Sequence, residues 1–284
     1  MPQELTSRQE IRQFIQTSRE KGQTVGFVPT MGYLHEGHAS LLRQARLEND
    51  LVILSIYINP LQFGPEEDFE QYPRDKKKDF ELARETGTDA ILTLSEEPMY
   101  SPEHATYVEV KELTDHLCGA SRPGHFRGVT TIVTKLFGLV SPDRAYFGQK
   151  DAQQAIILRR MTIDLEMNTK IRILPIVRES DGLALSSRNV YLDEKQRQEA
   201  LGLHRSLLRA QELVASGERC TETIDSAVRD ILNTCDGAQI DYIGLVDSQT
   251  LQPVERLERE TLLALAVHFG RTRLIDNTLL TPLA

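Results

Sequence analysis

The chain has 284 residues, 40% of them hydrophobic and 26% charged, a balance that fits one large or two smaller globular domains and excludes fibrous and disordered classes. A net charge of −9 argues against nonspecific nucleic-acid binding, which needs a basic face. No stretch approaches the length of a membrane span, the first residues lack an apolar signal core, and Cys118, Cys220 and Cys235 stand far apart with no C-x-x-C, so reduced thiols in a cytoplasmic protein are expected.

Strand and helix patterns alternate through the first two-thirds of the chain. Residues 8–21 read as a helix, 24–28 as a buried strand, and 39–45 as an amphipathic helix. A second strand is expected over 51–57, a helix over 73–85 with Gly87 as its stop, and a third strand over 89–94. A short strand at 107–110, a buried helix at 129–139, a strand at 144–147, a helix at 151–165 and a strand at 171–174 follow. Repeated β-α-β with apolar strands predicts a Rossmann-like, doubly wound parallel sheet of the α/β class. Beyond about residue 178 the pattern changes. One long helix over 193–216, another over 221–235, and strands over 240–246 and 262–269 predict a smaller α+β domain. The expected division is 1–178 and 179–284.

The turn after the 24–28 strand carries the densest chemistry: Pro29-Thr30-Met31-Gly32-Tyr33-Leu34-His35-Glu36-Gly37-His38. A glycine-rich strand-to-helix turn aims N–H groups and the helix dipole at an anion, most often a phosphate. His35 and His38 share a face once helical and can act on one group. Either histidine alone also fits a cap or a solvated side chain, and paired histidines can bind zinc, although the metalloprotease spacing is i, i+4 and here it is i, i+3.

Four other segments stand at strand ends or at the expected domain junction. In Asn59-Pro60-Leu61-Gln62-Phe63-Gly64, Asn59 and Gln62 offer amide donors and acceptors to a substrate, or simply build a turn. Arg122-Pro123-Gly124-His125-Phe126-Arg127-Gly128 suits phosphate contact or is a solvated basic loop. Phe147-Gly148-Gln149-Lys150-Asp151 places a lysine where it can bridge phosphate oxygens, with Asp151 open to a helix-capping role and Gln153 and Gln154 in the first helical turn. Residues 181–189, ending Ser186-Ser187-Arg188-Asn189, look like a triphosphate clamp, a mobile lid or a plain linker. Lys76-Lys77-Lys78 reads as a solvated helix face, and Asp79 beside it as a surface ion-pair partner or a holder of a divalent ion.

These segments, with Tyr72-Pro73-Arg74, resemble the pantoate–β-alanine ligase family over the whole chain. The H-x-G-H turn alone marks the wider nucleotidyl-transferring superfamily, and the Ser186–Asn189 loop matches its second nucleotide signature; all the segments in this order point to the ligase. The resemblance implies that ATP and pantoate form pantoyl adenylate and pyrophosphate, after which β-alanine displaces AMP. It places Met31, Gly32, Tyr33, Leu34, His35, Glu36, Gly37 and His38 at ATP, with Gly148, Gln149, Lys150, Asp151, Val177, Leu185, Ser186, Ser187 and Arg188. His35, His38, Lys150 and Arg188 become the catalytic set, and His38 the family's proton donor. Gln62 and Gln154 are assigned to pantoate, with Asn59, Arg122 and His125 as further substrate contacts, Mg²⁺ accompanying ATP and Asp79 as its metal residue. A homodimer associating through the first domain is implied, with no nucleic-acid or membrane partner. The chain departs from the family where Gln149 precedes the lysine and Lys78 precedes Asp79, positions where members often carry acids.

Two other readings fit parts of the pattern. Another nucleotidyl transferase, making a CDP- or NAD-type product, would share the turn but has no reason to share the Gln62 and Gln154 segments. A catalytically dead nucleotide-binding scaffold would show loss of His38 or Lys150, and both are present.

Overall fold

The computed structural model describes residues 1–65 and 67–282. They form two compact units. The first comprises Met1–Val110, Pro123–Gln149 and Gln154–Pro175; the second comprises Lys111–Arg122, Lys150–Gln153 and the chain from Ile176 onward. The two short segments are bonded to each other through Gln153, and to the last strand of the same unit, where Asn277 Nδ2 donates to the Lys150 carbonyl (3.0 Å) and Arg273 to the Ser121 hydroxyl (3.2 Å). Gln153 donates to the carbonyls of Leu113 (3.0 Å) and His116 (2.8 Å) and accepts from the Cys118 amide (3.0 Å).

The first unit is built on six parallel strands: β1 (Gln3–Leu5), β2 (Val25–Thr30), β3 (Leu51–Ile56), β4 (Ala90–Leu92), β5 (Arg144–Gly148) and β6 (Lys170–Leu174), in the order β1-β4-β3-β2-β5-β6. Strands β2 and β3 are near-continuous apolar runs because helices cover both faces. On one face Val28, Val52 and Leu54 pack with Leu41, Leu42 and Ala45 of α2 (Glu36–Glu48) and Ala83 of α3 (Lys76–Glu85). On the other, Phe27 meets Phe137 of α5 (His125–Val140) edge to face, 6.3 Å between centroids. Fully burying one such side chain is worth about 1.5–3 kcal/mol. The chain passes from β2 to β3 on one side, while β5 lies on the other. The strand order therefore reverses at β2, and ligands in such sheets bind beyond the carboxyl ends at that reversal. The turns after β2, β3 and β5 all lie there.

In the second unit β7 (Ala238–Asp247), β8 (Thr261–Phe269) and β9 (Thr272–Leu280) form an antiparallel sheet in that order. Leu263, Leu265 and Val267 of β8 pack with Leu203, Leu207 and Val214 of α8 (Leu201–Ala215) and Ile224, Val228 and Leu232 of α9 (Thr221–Asn233). No helix among the described residues is long and apolar enough to cross a membrane.

Several elements differ from expectation. The 107–110 strand does not form. Val108 instead bonds to side chains of α5, its amide to the Thr131 hydroxyl (3.0 Å) and its carbonyl to the Thr130 hydroxyl (2.5 Å). The long 193–216 helix is two, α7 (Glu194–Glu199) and α8, separated by a tightened step at Ala200 (φ −61°, ψ −20°). Helix α3 starts at Lys76 rather than residue 73, where the Asp75 carboxylate caps the Lys78 amide. Strands β1 and β9 were not expected. The first has three residues, and β9 places Asp276 and Asn277 side by side in its interior, which breaks any alternation.

Candidate active site

The turn from β2 to α2 is held by its own residues. His35 is the N-cap of α2, and its Nδ1 accepts the Gly37 amide (3.1 Å). Its own amide donates to Nδ1 of His38 (3.3 Å). The pair makes a capping box from two imidazoles, in the manner of the usual Ser/Thr and Glu pair. The cap reading and the chemical reading of the histidines are therefore compatible. With both Nδ1 lone pairs engaged, the hydrogen-bond network assigns the ring protons to Nε2. The rings lie 4.1 Å apart, tilted by 42°. A Cβ at Gly37 would stand 2.9 Å from the His35 ring, so a side chain there would push the ring away from its capping position.

The turn's amides are not all directed at an external anion, as the sequence predicts. Those of Tyr33 and Leu34 donate to the Asp79 carboxylate, at 2.9 Å to Oδ2 and 2.6 Å to Oδ1. Asp79 lies in the first turn of α3 and is only 2% exposed. Burial pushes its carboxyl above the ordinary range, partly offset by the Leu34 and Tyr33 amides. This corrects both expectations for Asp79, the surface ion pair and the metal residue. Its two oxygens face backbone N–H groups in the interior, whereas Mg²⁺ demands octahedral oxygen ligands and keeps several waters. Among the described residues no cluster of three or more His, Cys, Asp or Glu can hold a metal.

The loop after β3 is equally well tied. Asn59 is 1% exposed. Its Nδ2 donates to Gln62 Oε1 (3.0 Å) and the Gly128 carbonyl (3.1 Å), and its Oδ1 accepts from the Tyr100 hydroxyl (2.7 Å). Expected as a substrate contact, Asn59 instead orients Gln62. His125, at the start of α5, meets the Gln62 carbonyl through Nδ1 at 2.8 Å. Gln62 Nε2 lies 3.4 Å from Met31 Sδ, which joins this loop to the histidine turn. Two partners escape the sequence reading. Burial keeps the Tyr100 hydroxyl protonated, its pKa raised, so it stays a donor. A Cβ at Gly128 would stand 2.3 Å from the Leu61 carbonyl oxygen, so α5 approaches the loop only because residue 128 is glycine. The sequence pattern starts this helix at residue 129 and leaves Gly128 in the preceding loop, so it carries no signal of that approach. Gln154 is half-buried in the first turn of α6 (Ala152–Asp164), Gly148 closes β5, and Gln149 opens the 3₁₀ turn that follows it.

The remaining expected residues belong to the second unit. Lys150 lies in a 3₁₀ turn, Gln149–Asp151, with its Nζ 3.5 Å from Asp151. Its carbonyl accepts from Asn277 Nδ2 (3.0 Å). Residues 177–185 form a hairpin rather than a linker. Arg178 and Ala184 bridge, and the Leu185 amide donates to Val177 (3.0 Å). Arg178 makes a two-pronged ion pair with Asp276 at 2.6 and 2.9 Å, and the Asp276 side chain is 1% exposed. Ser186 then caps a 3₁₀ turn, Ser187–Tyr191, by accepting the Arg188 amide (3.3 Å). Asn189 Nδ2 donates to Glu179 (3.3 Å) and to the Ala184 carbonyl (3.1 Å). Arg122 is the C-cap of α4 (Cys118–Ser121).

Comparison with known proteins gives one consistent result. The family model described as pantoate-beta-alanine ligase matches residues 3–279. The pantothenate synthetase of Thermotoga petrophila is 55% identical over 272 residues, covering 96% of this chain and 97% of the relative. That of Moorella thermoacetica is 53% identical over 270 residues, with 95% of each chain covered. Among solved structures, pantothenate synthetase from Thermus thermophilus superposes with a TM-score of 0.91 at 43% identity, covering 97% of this chain and 98% of that one. The pantoate-beta-alanine ligase of Francisella tularensis, complexed with beta-gamma ATP and beta-alanine, gives 0.81 at 33% identity with 98% of each covered. Matched along nearly its whole length, and carrying a paired-histidine turn where its strand order reverses, this chain belongs to the pantoate–β-alanine ligase family.

Proposed function

We propose that this chain joins pantoate to β-alanine at the expense of ATP, with its own residues in the following roles. The pantoate carboxylate attacks the α-phosphorus of ATP and pyrophosphate leaves. The β-alanine amine then attacks the acyl carbon of pantoyl adenylate, loses a proton, and expels AMP to give pantothenate. No protein nucleophile is needed, so catalysis rests on positioning and on charge stabilisation.

The observation that carries this reading is the histidine pair. With Nδ1 of each ring bound to a backbone amide, His35 and His38 offer Nε2–H donors from the N-terminal turn of α2. Two such donors, fixed before substrate arrives, suit an α-phosphate that gains negative charge in the transition state. In the second unit, Lys150 and Arg188 supply positive charge to the phosphates, with Ser186, Ser187, Val177 and Leu185 around the nucleotide. Gln62 and Gln154 hold pantoate. Asn59 and His125 act one step removed, by fixing Gln62. Mg²⁺ enters as part of the MgATP substrate, where it neutralises phosphate charge, since the Asp79 carboxylate does not fit it.

Free Cys118, Cys220 and Cys235 agree with a reducing, cytoplasmic location. The reading takes the working form to be a homodimer, which light scattering on the purified protein would test. The chemistry is tested with pantoate labelled with ¹⁸O in its carboxylate. Adenylation transfers one label to AMP for each turnover. Unlabelled AMP would exclude the acyl-adenylate route.

A further inference from the structure

Asp79 is the one buried carboxylate among the singled-out residues that the chemistry above leaves without a task. The backbone it grips is unusual. Gly32 (φ +86°) and Tyr33 (φ +52°) are consecutive left-handed residues, and Tyr33 adopts that conformation without the freedom of glycine. Consecutive N–H groups in such a turn converge on a single anion. Here that anion is internal. Oδ1 and Oδ2 of Asp79 each take one amide, from Leu34 and Tyr33. The first turn of α3 also holds the Tyr33 side chain, with Lys78 Nζ 5.3 Å from the ring centroid. Space is tight on the same side, since a Cβ at Gly32 would stand 3.0 Å from Asp79 Oδ2. Leu34, fully buried, leads straight into the His35 cap.

We infer that Asp79 is a positioning residue for the phosphate-binding histidines: its carboxylate holds the left-handed turn at Tyr33 and Leu34, and so sets where the His35 and His38 Nε2–H groups point. A strained turn persists only where its surroundings over-determine it, and the two charge-assisted N–H bonds supply that restraint. The inference rests on the assignment of the two histidines to ATP.

The test is Asp79→Asn. An amide offers one acceptor oxygen and turns its NH₂ toward the second backbone N–H, so one of the two bonds is lost. We expect hydrogen exchange at the Tyr33 and Leu34 amides to rise about tenfold or more with the sheet amides unchanged, since a bond worth about 1.4 kcal/mol or more is removed there. We expect kcat to fall by about 10- to 100-fold, the scale of a misplaced catalytic group. KM for pantoate should stay within about threefold, because Asn59 and His125 hold Gln62 independently of its contact with Met31, and the Mg²⁺ concentration for half-maximal rate should not move. Unchanged exchange at Tyr33 and Leu34 overturns the inference. So does a rate restored by high Mg²⁺ with amide protection intact, which would make Asp79 a metal ligand. If Asp79→Asn does not fold, Asp79→Glu keeps the charge; exchange faster than wild type at these two amides supports the clamp, and wild-type exchange and rate overturn it. Amide exchange needs no substrate, so this result stands apart from any failure of the wild-type protein to turn over pantoate.

Discussion

The histidine turn of the first unit and the Lys150 and Arg188 segments of the second are held in opposite ways. In the turn, the fastening bonds are short in sequence: His35 to Gly37, His38 to His35, with Asp79 as the distant addition. In the second unit the fastening is long-range. Adjacent residues of β9 hold two separate segments, Asp276 through the Arg178 ion pair and Asn277 through the Lys150 carbonyl. A locally capped turn keeps its geometry as long as its helix stands. Segments pinned from a distant strand depend on the integrity of the whole unit. Turnover and stability should therefore separate in the first region and fall together in the second.

The largest effects test that separation. His38→Ala and Lys150→Ala should each lower turnover by about 10²-fold or more, the usual cost of removing one transition-state donor. His38→Ala should do so with a near-normal thermal midpoint; near-normal turnover in either variant removes that residue from the mechanism. Asp276→Ala leaves the half-buried Arg178 unpaired and should cost about 2–4 kcal/mol in urea unfolding, with turnover falling as well. A variant with wild-type stability would show that the ion pair is not what holds the hairpin.

Smaller changes sharpen the picture. Gln62→Ala should raise KM for pantoate by about tenfold while leaving KM for ATP nearly unchanged, the loss of a hydrogen bond to one substrate. Equal weakening of both would contradict its role. The smallest expected effect concerns acid. Burial lifts the Asp247 carboxyl, but the Thr250 and Gln249 amides, the Thr250 hydroxyl and Arg259 outweigh it and hold it below the usual carboxylate range. A carboxyl that titrates lower in the folded chain stabilises it above the unfolded value, about pH 4, and loses that contribution as pH falls through the folded value. Asp247→Asn should then cost about 1 kcal/mol at neutral pH, and the two proteins should converge in acid. A pH-independent difference would remove Asp247 from acid unfolding.

The same contrast explains what the sequence could show. The β-α-β order, the parallel sheet and the histidine turn are carried by local patterns: apolar runs, glycines at turns and an i, i+3 pair. The tertiary partners of those residues leave almost no local trace. Asp79 sits among lysines and reads as surface charge, yet folding turns it inward onto two amides 45 and 46 residues away in sequence. Asn59 reads as a ligand because its amide is versatile, and folding commits it to Gln62, Gly128 and Tyr100. The sequence Thr272-Arg273-Leu274-Ile275-Asp276-Asn277 hides a strand because its polar residues point to partners that only the assembled unit provides. At 107–110 the opposite holds: the residues favour a strand, but threonine hydroxyls of α5 take the backbone groups that a neighbouring strand would have used.

The most direct test of the account is pyrophosphate release from ATP by the purified protein, with pantoate alone and then with β-alanine added. The account predicts release that requires pantoate, stops near one equivalent per site while the adenylate stays bound, and becomes sustained with β-alanine as AMP and pantothenate accumulate. Folded protein that binds ATP but releases no pyrophosphate in the presence of pantoate would contradict it.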